Sequence, residues 1–203
     1  MEEQSGIIWL NEVDSTNDEV RRRLSGLDNL SVVAAVRQTA GRGQGDHTWT
    51  SEPGRNLTFS LVLKFPPCSP VAAGELLLIT QVVTRALREY LLGKGLLARI
   101  KWPNDIYIGD RKICGILIEN ILDGKMIRSS IIGIGLNLNQ LSFPPDLPNP
   151  VSVSQLTGQS YDPAAELRLL REELKKSAAL LDSQDGRIDL DRYFDRYVFR
   201  RGE

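Results

Sequence analysis

Residues 131–139 alternate between two kinds of side chain, and this alternation constrains the fold more than any other feature of the chain. Isoleucine and leucine occupy positions 132, 134, 136 and 138, whereas glycine and asparagine occupy positions 133, 135, 137 and 139. Because successive side chains of a β-strand point to opposite faces, the pattern predicts a strand with one apolar face and one open face. The open face suits a flat ligand, with Asn137 as donor and acceptor. The alternative is a bulged strand whose asparagines begin a loop.

The remaining patterns predict a mixture of strands and helices within one domain. A length of 203 residues fits one domain, and the element order predicts an α+β fold whose mixed or antiparallel sheet has helices on one side. The strand at 57–63 alternates in a way that predicts burial of one face. Predicted strands cover residues 7–10, 32–38, 57–63, 99–102, 106–108, 113–119 and 127–137. Predicted helices cover residues 17–24, 72–92, 162–181 and 190–200.

Composition excludes several classes of protein. A net charge of −1 argues against a nucleic-acid protein that works by phosphate neutralisation, and no apolar run approaches the 18 residues of a membrane span. Cys68 and Cys114 match no metal or redox spacing, so we expect free thiols in a reducing, cytoplasmic compartment. His47 is the single histidine, which excludes a histidine-rich metal site, and we name no metal-ligating side chains.

Residues 39–55 form a long predicted loop rich in glycine. Gly41, Gly43 and Gly45 alternate with Arg42 and Gln44 directly after a predicted strand. Glycines allow close backbone approach to a ligand, and an arginine between them can bind a phosphate or carboxylate. The spacing fits neither a P-loop nor a dinucleotide fingerprint, and a flexible turn is the alternative. The loop's length of 17 residues favours a functional role.

Two basic motifs flank predicted strands. Residues 101–105 read Lys-Trp-Pro-Asn-Asp, so Asn104 and Asp105 are expected at a strand tip, where an amide and a carboxylate can meet a ligand. Lys112 precedes a buried strand and can carry positive charge into a cleft. Gly115 within that strand indicates close approach of a ligand or backbone. The alternative for residues 103–105 is an ordinary turn, and the alternative for Lys112 is a solvated strand end.

Residues 15–17 read Ser-Thr-Asn and first indicate the N-cap of a helix. A cap also directs free N–H groups and a positive dipole toward whatever lies beyond it. Trp49, in the glycine-rich loop, is expected to fold over a ligand, because a permanently solvated indole is unfavourable. His47 is expected on the surface.

Together these motifs resemble the catalytic domain of the biotin protein ligases over about residues 7–140. The fold implied is a mixed sheet flanked by helices, related to class II aminoacyl-tRNA synthetases and lipoate ligases. The activity implied is conversion of biotin and ATP, with Mg²⁺, to biotinyl-5′-AMP, followed by transfer to a lysine of a carboxylase's biotin carboxyl carrier protein or domain. The resemblance rests on Ser-Thr-Asn at 15–17, Gln38, the Gly-Arg-Gly loop with Trp49, Lys-Trp-Pro-Asn-Asp at 101–105, Arg-Lys-Ile-Cys-Gly-Ile-Leu at 111–117 and Gly-Ile-Gly-Leu-Asn at 133–137.

The resemblance assigns roles to the motif residues. Catalytic roles fall to Arg42, Lys112 and Asp105. Biotin binding is expected of Ser15, Thr16, Asn17, Gln38, Arg42, Gly43, Gln44, Lys112, Gly115 and Leu117. ATP or adenylate binding is expected of Arg42, Trp49, Lys101, Asn104, Lys112 and Asn137.

The resemblance also implies a domain organisation and one departure. Residues 1–200 would form the catalytic domain, with C-terminal helices at 162–200, no N-terminal DNA-binding domain, and the family's C-terminal SH3-like barrel absent or truncated. We expect no DNA or membrane partner, and the family's habit of pairing through its sheet allows a homodimer. Many relatives carry a basic residue at the position of Gly45 and glycine at that of Asp46. The alternatives are a lipoate protein ligase and a non-catalytic protein that binds biotin or its adenylate.

Overall fold

The computed structural model describes residues 3–4, 6–67 and 69–199, and its centre is one mixed sheet. Cys68 lies outside the described residues. The strands, in chain order, are β1 (Glu3–Gln4), β2 (Ile7–Val13), β3 (Val32–Gln38), β4 (Leu57–Lys64), β5 (Val71–Ala72), β6 (Ala98–Lys101), β7 (Asp105–Ile108), β8 (Arg111–Asp123), β9 (Met126–Leu136) and β10 (Val198–Phe199).

Helices cover both faces of this sheet. The longest, α2 and α4, present apolar residues at helical spacing to the sheet, and α4 begins with Asp162 as N-cap and proline at N1. The helices are α1 (Thr16–Arg23), α2 (Leu76–Leu92), α3 (Val153–Thr157), α4 (Pro163–Ala179) and α5 (Gln184–Tyr197), with a 3₁₀ turn at Leu180–Asp182.

The sheet order is β1-β2-β3-β4-β9-β8-β7-β6-β10, and β5 pairs with β9 beside this path. The pairs β2–β3 and β6–β10 are parallel, and the other described pairs are antiparallel. The predicted α+β class with a mixed, helix-flanked sheet is therefore confirmed. The four central strands β4, β9, β8 and β7 are all antiparallel neighbours, so they share long, regular ladders.

The hydrophobic core is divided between the two faces of the sheet. Val32 and Ile132 belong to the main core, which also holds the buried side chains of α2, α4 and α5. Their chain neighbours Val33 and Ile131 point the other way and pack with Val20 of α1. The expectation of helices on one side of the sheet is therefore wrong, because α1 covers the opposite face.

Several predicted boundaries also need correction. The strand at 57–63 is buried on both faces rather than one, because β4 lies between the two helical layers. The helix predicted to start at residue 72 starts at Leu76, since Val71–Ala72 pairs with β9. The last helix was predicted over 190–200, but it begins at Gln184 and ends at Tyr197, where Val198–Phe199 joins β6 as a parallel strand. Arg200 lies outside the described residues.

The short helix α3 was not predicted. Ser152 and Gln155 form a capping box at its start, in which each side chain binds the other residue's backbone N–H, and Gly158 ends it with a positive φ of 71°. None of the helices in the described part of the chain is long and apolar enough to cross a membrane.

Candidate active site

A cavity of about 430 Å³ opens on the sheet face that carries the glycines. It lies beside the N-terminus of α1, between the glycine-rich loop and the chain after β9. The structure thus brings all fifteen predicted site residues to one place, although they come from separate segments. The predicted residues that line the cavity are Ser15, Thr16, Asn17, Gln38, Arg42, Gly43, Gln44, Trp49, Lys101, Asn104, Asp105, Lys112, Gly115, Leu117 and Asn137.

The cavity floor is a single row of paired residues that crosses five strands. Register places Lys101 of β6 opposite Asp105 of β7, which pairs with Gly115 of β8, then Gly135 of β9, then Thr58 of β4. All five line the cavity. Side chains directly opposite each other point to the same face, so two adjacent glycines leave the middle of the floor low and flat.

The floor inferred from the alternation at 131–139 is therefore present at Gly133 and Gly135. The strand ends at Leu136, however, so the asparagines begin a loop, as the alternative had it. Asn137 still lines the cavity, whereas Asn139 donates to Tyr161 O instead.

The adjacent row points the other way and closes the core beneath the floor. Ile106, Cys114, Leu136 and Leu57 are paired across four of these five strands, and all are fully buried. Burial raises the pKa of the Cys114 thiol well above its usual range, with a smaller contribution from Asp105. Cys114 is therefore a neutral core side chain rather than a nucleophile.

A β-bulge directs Lys112 into the cavity. Strict alternation from Gly115 would give the cavity face to Ile113 and turn Lys112 into the core. Instead, the pairing of β7 with β8 shifts between Ile106 and Tyr107, so Tyr107 pairs with Lys112. Ile113 joins the core, and Lys112 and Tyr107 line the cavity. Bulges commonly re-aim one side chain next to a functional site.

Lys112 and Asp105 form an ion pair in the middle of the cavity. The ammonium Nζ lies 2.8 Å from Asp105 Oδ1, and both side chains are partly exposed. A Cβ atom built at Gly115 would lie 3.3 Å from Lys112 Nζ, so the lysine lies directly above the glycine floor. The backbone of Lys112 is held on its other side, where its N–H donates to Asn149 O and its carbonyl accepts from Val151.

Small polar side chains line the end of the cavity beside α1. Ser15 occupies the N-cap position, but its side chain makes no capping hydrogen bond. The Gln38 amide oxygen takes over that task, accepting from Thr16 N at 2.8 Å and from Thr16 Oγ1 at 3.0 Å. Ser60 Oγ lies 2.7 Å from Thr16 Oγ1 and 2.6 Å from Asn17 Oδ1. This end therefore presents fixed donors and acceptors rather than an apolar wall.

The glycine-rich loop folds back over the glycine floor as a small hairpin. Trp49 N donates to Gly41 O, and Gly43 N donates to His47 O. The Trp49 indole lies above Gly135, where an added Cβ would be only 2.6 Å from its Nε1. That Nε1 is buried and has no acceptor among the described residues. As expected from the sequence, Trp49 lies over the site, and His47 is exposed.

Arg42 lines the cavity, and its guanidinium is bound to carboxylates. Its Nη2 lies 2.8 Å from Asp18 Oδ1, and its two terminal nitrogens lie 3.1 Å and 3.2 Å from the oxygens of Glu119. An anionic ligand must therefore compete with these two carboxylates for Arg42.

The amides expected to meet adenosine already hold parts of the backbone. Asn104 Nδ2 donates to Ile116 O at 2.5 Å, and Asn137 Nδ2 donates to Val151 O at 3.1 Å. Both residues line the cavity, but the donor of Asn137 is not available in the way that its position on the open face suggested. Lys101 lies at one end of the floor, with Nζ 3.4 Å from the Tyr107 hydroxyl.

Sequence reasoning missed part of the wall and the partners of Arg42. Phe143, Leu147, Pro148 and Pro150 line the cavity from a segment predicted only as loop. The signal that could have found this wall is the spacing of its apolar residues, but which surface they meet is a long-range property. Among the described residues, no three or more His, Cys, Asp or Glu side chains converge in a way that could hold a metal ion.

Residues 9–137 match the model of the Biotin/lipoate A/B protein ligase family. The chain belongs to this family. It is 33% identical over 178 residues to the biotin–[acetyl-CoA-carboxylase] ligase of Paracoccus denitrificans. The aligned residues cover 86% of this chain and 73% of that protein. It is 37% identical to the bifunctional ligase/repressor BirA of Bacillus spizizenii over 68% of this chain, but spans only 42% of that protein.

A solved structure agrees with this assignment. The biotin protein ligase of Aquifex aeolicus in complex with biotin and ATP superposes with a TM-score of 0.81 at 25% identity, covering 97% of this chain and 79% of that one. The resemblance seen in the motifs is therefore confirmed at the level of family and fold.

Proposed function

We propose that this chain joins biotin to ATP, giving biotinyl-5′-AMP and pyrophosphate, and then transfers the biotinyl group to a lysine of a biotin carboxyl carrier protein or domain. The observation that carries the proposal is the convergence of fifteen motif residues on one cavity, with Lys112 and Asp105 side by side above its floor. A volume of about 430 Å³ lies within the usual range for small-molecule sites. The likeness to biotin protein ligases supports the same conclusion.

The residues suit the first step, which needs positive charge more than a base. The carboxylic acid of biotin, with an expected pKa of about 4.3, is already ionised at neutral pH. One of its oxygens bonds to the α-phosphorus, and the bond to the pyrophosphate oxygen breaks. The difficulty is the repulsion between the biotin carboxylate and the triphosphate of ATP. Lys112 in the cavity and Arg42 on its loop supply charge where negative charge develops.

Mg²⁺ is expected to enter with ATP, and the cavity fits such a metal. Mg²⁺ usually binds through one or two carboxylates together with substrate phosphates. Asp105 is the one carboxylate among the lining residues, so it would supply the protein oxygen. When bound, the ion neutralises phosphate charge. Asp105 is the residue of this chain that would take part in that arrangement, and it lies 2.8 Å from Lys112 Nζ.

The second step requires proton removal. The acceptor lysine, with a pKa near ~10.4, must lose a proton before its nitrogen attacks the carbonyl carbon and AMP leaves. Asp105 is our proposed base, because it is the carboxylate that lines the cavity. Its pairing with Lys112 means that the lysine must release it, at least in part, when substrates bind.

The polar end of the cavity favours biotin over lipoate as the substrate. The fused ring of biotin carries N–H and C=O groups, which the fixed hydroxyls and amides around Thr16 and Asn17 can satisfy. The dithiolane ring of lipoate has neither group. Lipoate would therefore gain no ring hydrogen bonds at this end of the cavity and should bind less tightly.

The test is ATP-dependent incorporation of labelled biotin into a purified biotin carboxyl carrier domain, with labelled lipoate in a parallel reaction. We expect biotin and not lipoate to be incorporated. Lys112→Ala should slow labelling about 10²–10³-fold. Lys125→Ala, which alters an exposed lysine in the β8–β9 turn, should not slow it. Biotin-dependent exchange of pyrophosphate into ATP separates a ligase from a protein that only binds biotin. Cytoplasmic localisation and a homodimer remain predictions.

A further inference from the structure

We infer that Glu119 is a positioning residue that connects the α1 end of the cavity to the glycine-rich loop. This inference rests on the proposed function and deepens it. Glu119 follows Gly115 and Leu117 on the same face of β8, but it lies beyond the residues that line the cavity. Its carboxylate contacts three residues of two other elements: Asn17 and Arg21 of α1, and Arg42 of the loop.

Glu119 fixes which way the Asn17 amide points. A carboxylate only accepts hydrogen bonds, so the 2.8 Å contact from Asn17 Nδ2 to Glu119 Oε2 must be donated by the amide N–H. The amide oxygen is thereby turned toward the fully buried Ser60, whose Oγ lies 2.6 Å away. Asn17 is 3% exposed, so an alternative orientation would leave a polar atom unsatisfied.

The same carboxylate holds the loop. Arg42 contacts both Glu119 oxygens, at 3.2 Å and 3.1 Å, in a two-pronged arrangement that fixes the direction of the guanidinium. Asp18 adds a second carboxylate to Arg42, and Arg21 adds a second guanidinium to Glu119. The four charges balance. The Glu119 side chain is 21% exposed and that of Arg42 is 41% exposed, so solvent screens part of the pairing.

One oxygen, Glu119 Oε2, serves both Asn17 and Arg42. A ligand that reorients the Asn17 amide therefore frees part of this oxygen for Arg42. A ligand that draws Arg42 away from Glu119 likewise frees part of it for Asn17. Hydrogen bonds to charged groups are among the stronger ones in proteins. Loss of the Glu119 carboxylate should therefore weaken the binding of biotin and of its adenylate about tenfold.

The test compares Glu119→Ala with Glu119→Gln in the full chain. Alanine removes the acceptor for Asn17 and the anchor of Arg42. Glutamine keeps an acceptor for Asn17 but loses the charge that anchors Arg42. We therefore expect Glu119→Ala to raise both the biotin dissociation constant and the release rate of preformed biotinyl-5′-AMP about tenfold, and Glu119→Gln to change mainly the release rate.

Two further variants complete the design. Glu12→Gln removes an exposed ion pair with Arg37 on another strand, and should change neither quantity. Asp18→Asn removes the negative charge of the other carboxylate bound to Arg42. It should speed adenylate release without altering biotin affinity, so it tests the loop anchor even if the Glu119 variants fail to fold.

The inference is overturned if Glu119→Ala stays within twofold of the unmodified chain, or if both Glu119 substitutions change both quantities equally. If the Glu119 variants do not fold, the inference is overturned when Asp18→Asn leaves the rate of adenylate release unchanged. If the unmodified chain forms no biotinyl-5′-AMP, the proposed function itself fails. The two failures are therefore distinguishable.

Discussion

The substitution Gly135→Ala tests whether the flat floor of the cavity is needed to seat the Trp49 indole over the site. Gly135 lies in the middle of the five-strand row, between Gly115 and Thr58. A Cβ atom there would lie 2.6 Å from Trp49 Nε1, and nearer still to two carbons of the same ring. Ordinary contact begins near 3.4 Å, so Nε1 alone requires a withdrawal of 0.8 Å, and the nearer ring carbons require more.

The size of the effect follows from this displacement. Misplacing a binding group by about 1 Å can cost about 10²-fold in rate. The free energy of unfolding should change by only about 1 kcal/mol or less, because Trp49 belongs to a loop that can withdraw and alanine suits a strand better than glycine. We therefore expect Gly135→Ala to lower biotin-dependent pyrophosphate exchange about 100-fold with little change in melting temperature. The Trp49 fluorescence should shift toward that of a more solvated indole.

The matched control is Gly74→Ala, because a Cβ at Gly74 would meet no atom within 4 Å and its φ is not positive. This variant should exchange pyrophosphate at the parent rate. Normal exchange by Gly135→Ala together with an unchanged Trp49 spectrum, read in a Trp9→Phe, Trp102→Phe background, would show that the floor does not need to be flat.

Three other substitutions test the proposed roles of charged residues. Lys112→Ala should lower the rate of adenylate formation about 10²–10³-fold, since it removes one positioned charge; single-turnover formation of biotinyl-5′-AMP measures this, and a loss under tenfold would contradict the role. Asp105→Asn should slow transfer from preformed biotinyl-5′-AMP to a carrier domain, and an unchanged transfer rate would remove it as the base. Asp46→Gly should slow leakage of the adenylate, because an exposed carboxylate on the loop repels a phosphate; equal or faster leakage, timed by filter binding of labelled adenylate, would show that Asp46 has no such effect.

The sequence predicts the sheet well where the apolar pattern is local. The strands predicted at 127–137 and 32–38 correspond to β9 and β3 with little change in their bounds. The pattern fails where long-range contacts decide. Val198–Phe199 reads as the end of a helix but pairs with β6, and no residue nearby in sequence signals that partner.

The position of Lys112 shows why part of the site lies beyond local rules. Period two from Gly115 turns Lys112 away from the cavity, and only the shifted pairing between Ile106 and Tyr107 reverses it. A bulge of this kind depends on the partner strand and on the chain near Asn149 that holds the Lys112 backbone. The resemblance to a family placed Lys112 in the site, whereas its periodicity alone did not.

Glu119 was missed for a related reason. It is an acidic residue near the exposed end of an apolar strand, which by itself indicates only a solvated position. Its importance comes from α1 and the glycine-rich loop, whose side chains reach it from 102 and 77 residues away in sequence. A local reading of the chain has no access to such contacts.

The pairing of two cavity cations with carboxylates bears on selectivity. Lys112 is paired with Asp105, and Arg42 is paired with Asp18 and Glu119. A simple anion that reaches one of these cations gains one ion pair and breaks another, so its net gain is small. A ligand that presents negative charge to both cations while filling the polar end near Thr16 gains several contacts for the same displacement. Differential affinity of this kind is what a ligand needs in order to shift a conformational equilibrium. The pairing should therefore disfavour isolated phosphate and favour a molecule that spans the whole cavity, as an acyl adenylate does.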